Sequence, residues 1–131
     1  MRGIHLFDNS PHRYKTVMAG ETLFKQGENG DKMYIVQEGE IDLYLLDMTI
    51  ETVGPGGILG ELALIDNRPR TATAIARTEC KVVEIDSDRF TFLVQETPFF
   101  ALDVMTVMAD RLRYMDRHAT ESYTPYDMTD G

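Results

Sequence analysis

The chain has 131 residues and a mass of 14.9 kDa, enough for one domain whose core needs no metal or disulfide staple. It is 43% hydrophobic and 27% charged, with 13 Lys+Arg against 22 Asp+Glu and a net charge of −9. That balance excludes a disordered chain and argues against direct partnership with DNA, RNA or an anionic membrane surface, each of which needs a basic face.

The only cysteine is Cys80, so no internal disulfide framework exists. Residues 1–8 turn polar too early for a signal-peptide core, and no apolar run approaches the ~18 residues of a membrane span. A cytoplasmic chain is the expectation. Residues 1–14, with Asn9, Ser10, Pro11 and His12, read as a turn-rich entry segment. From Lys15 to Phe92 the sequence consists of short alternating segments cut by glycine. Strands are expected at 17–19, 22–24, 32–37, 41–45, 48–53, 71–76 and 81–85. Short strands at this spacing predict a mainly β fold, a small antiparallel barrel or jelly roll.

After residue 86 the period lengthens. Ser87 is placed to cap a short helix carrying Phe90, Leu93 and Val94. Pro98 can open a second helix, because its missing N–H costs nothing at the first position. That helix is expected to run to about His118, followed by a flexible tail over 119–131.

The segment that carries chemistry is 56–74. Gly56, Gly57 and Gly60 lie within five residues, so backbone can approach a ligand closely. A short helix-forming run, 61–65, follows at once, and free N–H groups at such a start favour an anion. Asp66 and Asn67 end that turn, Pro69 stiffens the return, and Arg70 stands at the start of the next strand as a bidentate phosphate clamp. Glu61 has the opposite sign and would repel phosphate, so it needs another partner; a ribose hydroxyl is the natural donor. Glycine-rich turns of this kind also occur without a ligand, and an Arg–Glu pair is commonly a plain salt bridge.

The run from Gly60 through Glu61, Leu62, Ala63 and Leu64 to Pro69, Arg70, Thr71, Ala72 and Thr73 resembles the phosphate-binding cassette of the cyclic nucleotide-binding domain family. That family includes the catabolite activator protein, the regulatory subunits of protein kinase A, protein kinase G and cyclic-nucleotide-gated channels. Upstream text agrees: Ala19-Gly20-Glu21-Thr22-Leu23-Phe24, Gly27-Glu28-Asn29-Gly30-Asp31, Tyr34-Ile35-Val36 and Glu38-Gly39. The resemblance covers about 15–118, taken as the binding domain, and implies a jelly-roll-like β-roll with a short cassette helix and a C-terminal helical lid. It implies that Glu61 accepts from the ribose 2′-OH and that Arg70 pairs with the cyclic phosphate. It further implies that the N–H groups around Gly60, Leu62 and Ala63 complete the cradle, with Ala72 beside it. Thr71 departs from the Ala of kinase-A-like cassettes and matches kinase-G-like ones, in which a Thr reaches both phosphate and guanine amino group. Gly57-Ile58-Leu59 departs from the family's acid and two aromatics, and these positions are expected to face the core.

Ala101, Met105, Met108, Leu112 and Met115 form a heptad-like stripe, which predicts either packing on the roll or a homodimer seam through 99–118. Val104, Val107 and Tyr114 occupy a neighbouring face that could pack on the roll. Arg111, Leu112 and Met115 are candidate caps for the base; Arg111, Arg113 and Arg117 otherwise read as solvated charge. His5, His12 and His118 are too scattered for a metal site, Cys80 reads as a buried structural thiol, and Asp86 and Asp88 read as helix-start acids. No nucleophile–base pair stands out, so no catalytic residue, metal or cofactor is expected. The expected function is reversible binding of cAMP or cGMP, signalled through movement of the C-terminal helix to an output partner outside the chain. The alternative is a structural or protein-interaction domain of the same fold that binds no cyclic nucleotide.

Overall fold

The computed structural model describes residues 13–122, with side chains through Arg113. His5, His12 and most of the C-terminal tail fall outside the described residues, as do the side chains of Tyr114, Met115, Arg117 and His118. Eight strands are described: β1 (Arg13–Val17), β2 (Thr22–Phe24), β3 (Lys32–Glu38), β4 (Ile41–Leu45), β5 (Met48–Val53), β6 (Ile58–Leu59), β7 (Thr73–Ala76) and β8 (Cys80–Asp86). Three helices accompany them: α1 (Glu61–Ile65), α2 (Ser87–Glu96) and α3 (Pro98–Ser122). Two four-stranded antiparallel sheets face each other, ordered β1-β8-β3-β6 and β2-β7-β4-β5. The fold is the expected β-roll.

The period of two sets the layers. On β3, Tyr34 and Val36 point between the sheets, whereas Met33 and Ile35 point to the helices. Likewise Cys80 and Val82 of β8 turn inward, and Val83 and Ile85 turn to the helices. Both faces of this sheet are therefore buried, which is why β3 reads as a continuous apolar run rather than an alternating one. Helices α2 and α3 cover its outer face with Leu93, Phe100, Val104 and Val107. Cys80 is a buried free thiol, as expected.

The elements differ from expectation at several edges. Strand β1 starts at Arg13 and pairs with β8 through its whole length, from Arg13 opposite Glu84 to Val17 opposite Cys80. Strand β7 begins at Thr73, not Thr71, since the cassette return occupies the two residues before it. Strand β6 was hidden in the glycine run; Ile58 and Leu59 are fully buried, facing the core as expected, and anchor the cassette to β3. The cap of α2 is Asp86, whose carboxylate accepts from the Arg89 N–H, and Ser87 is the first helical residue. Helix α3 opens at Pro98, as expected, and continues to Ser122. Its apolar stripe divides: Val104 and Val107 pack on the roll and Met108 turns partly toward that core, while Met105 and Leu112 stay exposed. No single helix among the described residues is long and apolar enough to cross a membrane.

Candidate functional site

The cassette runs from β6 through α1 to β7. Gly60 is the N-cap of α1 at φ 73°, a left-handed conformation that glycine adopts without strain. It supplies no side-chain cap, so the first-turn N–H groups of α1 have no intrahelical acceptor and stay available to a ligand. Asp66 closes α1 through a bond from its N–H to the Leu62 carbonyl, and Asn67 follows at φ 52°. The chain then returns to Arg70, whose N–H donates to the Glu28 carbonyl at 2.8 Å.

Among the described residues two charged ones are buried, Glu61 at 3% and Arg70 at 6% exposure. They are not each other's partners. The Arg70 guanidinium lies 4.4 Å from the Phe24 ring centroid and 5.7 Å from that of Tyr34, and those two rings stack on each other. Its Nη1 donates to the Lys32 carbonyl at 2.9 Å and to the Gly60 carbonyl at 3.2 Å. Burial lowers the Arg70 pKa, while Tyr34 and the acids Asp31, Glu28 and Glu61 act against that shift. Burial raises the Tyr34 phenol, with Arg70 pulling the other way.

Glu61 is held instead by Arg111 of α3, at 2.8 Å from Nη1 to Oε1. The same guanidinium donates from Nε to Glu51 of β5 at 2.9 Å and from Nη2 to the Ile58 carbonyl at 2.7 Å. Burial pulls the Arg111 pKa down, but Glu61 and Glu51 more than offset this and hold it above its ordinary value. Arg111 thus ties α3 to β5, β6 and α1 at one point. This placement corrects the reading of Arg111 as solvated charge, which still describes Arg113, exposed and paired with Asp110. It also places the Arg111 guanidinium on two carboxylates instead of leaving it free to lie over a base.

These groups line one cavity of about 260 Å³, close to the lower end of the about 300–1,000 Å³ found for small-molecule sites. Gly60, Glu61, Leu62, Ala63, Arg70, Thr71 and Ala72 all line it, together with Arg111 and Leu112. Met115 lies one turn further along α3, its side chain outside the described residues. The sequence reading missed Glu51, Phe24 and Tyr34. An acid in β5 carries no local signal, because strand pairing brings it to a residue 60 positions away. The two aromatics were legible only as core.

The cyclic nucleotide-binding domain family profile matches residues 14–97. The chain belongs to the cyclic nucleotide-binding domain family. It is 45% identical over 78 residues, 60% of its length, to a cAMP-dependent protein kinase regulatory subunit of Eremothecium gossypii, of which it spans 17%. Its fold matches that of PKAR CBD2 with bound Sp-2Cl-cAMPS at a TM-score of 0.72 and 28% identity, over 89% of this chain and 74% of that one. It matches a protein of a cyclic-GMP-dependent signalling pathway that regulates bacterial phytopathogenesis at a TM-score of 0.67 and 32% identity, over 77% and 84%. In this family the nucleotide is a ligand and not a cofactor.

Proposed function

We propose that this cyclic nucleotide-binding domain reversibly binds cAMP, tolerates cGMP, and signals through movement of α3. The observation that carries the reading is Arg70: a buried guanidinium facing a cavity, with only carbonyls as hydrogen-bond acceptors among the described residues, beside an uncapped helix start. Arg70 takes the cyclic phosphate, with the N–H groups of Gly60, Leu62 and Ala63 around it. Glu61 accepts from the ribose 2′-OH. Thr71, in the cavity wall beside Ala72, turns its hydroxyl to the phosphate or to a guanine amino group. Leu112 and Met115 cover the base. The chain binds the nucleotide without turning it over.

Arg111 supports the coupling to α3. It shares Glu61 with the incoming ribose, so occupancy of the site and the seat of α3 bear on one carboxylate. The ligand can shift α3 only by its difference in affinity for the two seats. The exposed side of α3 is read as a homodimer seam within 99–118, and the output partner lies outside this chain.

Calorimetry tests the reading. Wild-type protein should bind cAMP and cGMP, and both should be recovered intact by chromatography. A 2′-deoxy cyclic nucleotide should bind poorly and lose little more on Glu61→Gln. The natural ribose should lose about 1.5–3 kcal/mol on that change, the worth of a bond to a charged group. Well-folded protein that binds neither nucleotide would assign the chain to the structural-domain alternative.

A further inference from the structure

The guanidinium of Arg111 divides its donors between two acids. Its Nε donates to Glu51 Oε1 at 2.9 Å and its Nη2 reaches Glu51 Oε2 at 3.4 Å, so one edge of the group lies along that carboxylate. Nη2 also donates to the Ile58 carbonyl at 2.7 Å. Nη1 is what remains for Glu61, and it reaches one oxygen, Oε1, at 2.8 Å. The second oxygen, Oε2, accepts no hydrogen bond among the described residues. Glu61 is buried and lines the cavity, so this oxygen is an acceptor that the fold leaves unfilled at a ligand-sized space.

Arginine and carboxylate commonly pair fork to fork, through two parallel bonds. An arginine with Glu61 as its only acid would turn to take both oxygens in this way, and the carboxylate would then be closed to a hydroxyl. Glu51 opposes that turn, because it holds the Nε edge from β5. Asp110 does not replace it: this third acid of the cavity wall is paired with Arg113 at 2.9 Å.

We propose that Glu51 is a positioning residue for ribose recognition: it restricts Arg111 to one oxygen of Glu61 and so keeps the other for the 2′-hydroxyl. The proposal rests on the nucleotide reading above and deepens it, by placing a determinant of sugar specificity on β5, outside the cassette. Removing Glu51 also removes a negative charge near an anionic ligand, which favours every cyclic nucleotide alike. The ratio of cAMP to 2′-deoxy-cAMP affinity cancels that common gain and isolates the contact to the hydroxyl.

The test is calorimetric titration of cAMP and 2′-deoxy-cAMP into wild type, Glu51→Ala, Glu51→Gln, Arg111→Ala and the variant carrying both alanines. In Glu51→Ala the ratio should fall at least about fivefold, a share of the worth of a hydrogen bond to a charged acceptor. On the Arg111→Ala background, Glu51→Ala should leave the ratio where it is, since the competitor for the second oxygen is gone. Glu51→Gln keeps an oxygen for Nε and should recover most of the wild-type ratio. A crystal structure of ligand-free Glu51→Ala should show Arg111 paired with both oxygens of Glu61. A ratio unchanged in Glu51→Ala overturns the proposal, as does the same fall on both backgrounds or a guanidinium still on one oxygen. If the Arg111→Ala proteins fold poorly, the glutamine variant decides: a ratio as low as that of Glu51→Ala overturns the proposal. If wild type binds no cyclic nucleotide, the functional reading fails and the ribose role falls with it. Binding of cAMP with the wild-type ratio in Glu51→Ala overturns this proposal alone.

Discussion

Arg70 and Arg111 are both arginines at a buried cavity, yet their partners assign them opposite work. Arg70 has carbonyls and ring faces, and on the proposed reading its charge serves the ligand phosphate. Arg70→Ala should cut cAMP affinity at least about 30-fold, the low end of the ~2–5 kcal/mol lost when a buried charge loses its partner. Arg70→Lys should recover only part of it, because an ammonium cannot copy the fork. Calorimetric titration reads both, and equal affinity of Arg70→Ala and wild type would remove the phosphate role. Arg111 has two carboxylates and a carbonyl, so its charge is a tie within the fold. Arg111→Ala leaves the Glu61 carboxylate, only 4% exposed, without that partner. Urea denaturation should show a loss of about 1.5–3 kcal/mol, with Glu61→Gln on the same background restoring most of it. Thr71 lines the cavity, and the proposed function gives it a ligand contact. Thr71→Ala should weaken cGMP more than cAMP by about 1 kcal/mol, one neutral hydrogen bond; equal losses would deny it a role in reading the base.

At the scale of elements, what was legible depended on how local the cause is. The cassette could be read because its glycines, helix start and arginine lie within residues 56–74, and their chemistry is tied to that spacing. The buried run of Ile58 and Leu59 was read correctly as core but not as a strand, since two residues carry no period and only pairing with Tyr34 and Ile35 makes them β6. The Glu51–Arg111–Glu61 junction was out of reach for the same reason: β5, α1 and α3 meet only after the sheets close. The start of α2 shows a local signal with two readings. Asp86 and Ser87 are both good caps, and the sequence favoured the serine, whereas the extended backbone of Asp86 at ψ −177° makes it the residue outside the helix. Asp86→Ala should therefore cost about 1 kcal/mol, the usual worth of an N-cap, and Ser87→Ala only a small part of that. Denaturation midpoints of the two variants check this, and the reverse order would return the cap to Ser87.

For the whole molecule the open surface is α3. Its buried side is fixed by Phe100, Val104 and Val107, which pack on β3 and β8. The opposite side exposes Phe99, Leu102, Met105 and Leu112, at spacings of three, three and seven along the helix. The stripe read from sequence thus shifts around the helix, because Met108 turns toward the core and the cavity and leaves the seam to its neighbours. An apolar face of this kind is covered at least cost by a second copy of itself, since a two-fold seam buries the same residues on both chains. Sedimentation equilibrium at micromolar concentration should give twice the 14.9 kDa chain mass. Leu102→Glu and Met105→Glu together should bring it to one chain mass, because buried like charges would face each other across the seam. Neither residue lines the cavity, so cAMP affinity in that variant should stay within a few-fold of wild type. Leu112 differs, as it lines the cavity and lies on the exposed side at once. Leu112→Glu should therefore weaken both dimer and nucleotide, which is the signature expected if binding and assembly meet on one helix. A single chain mass for wild type, with and without cAMP, would remove the dimer seam.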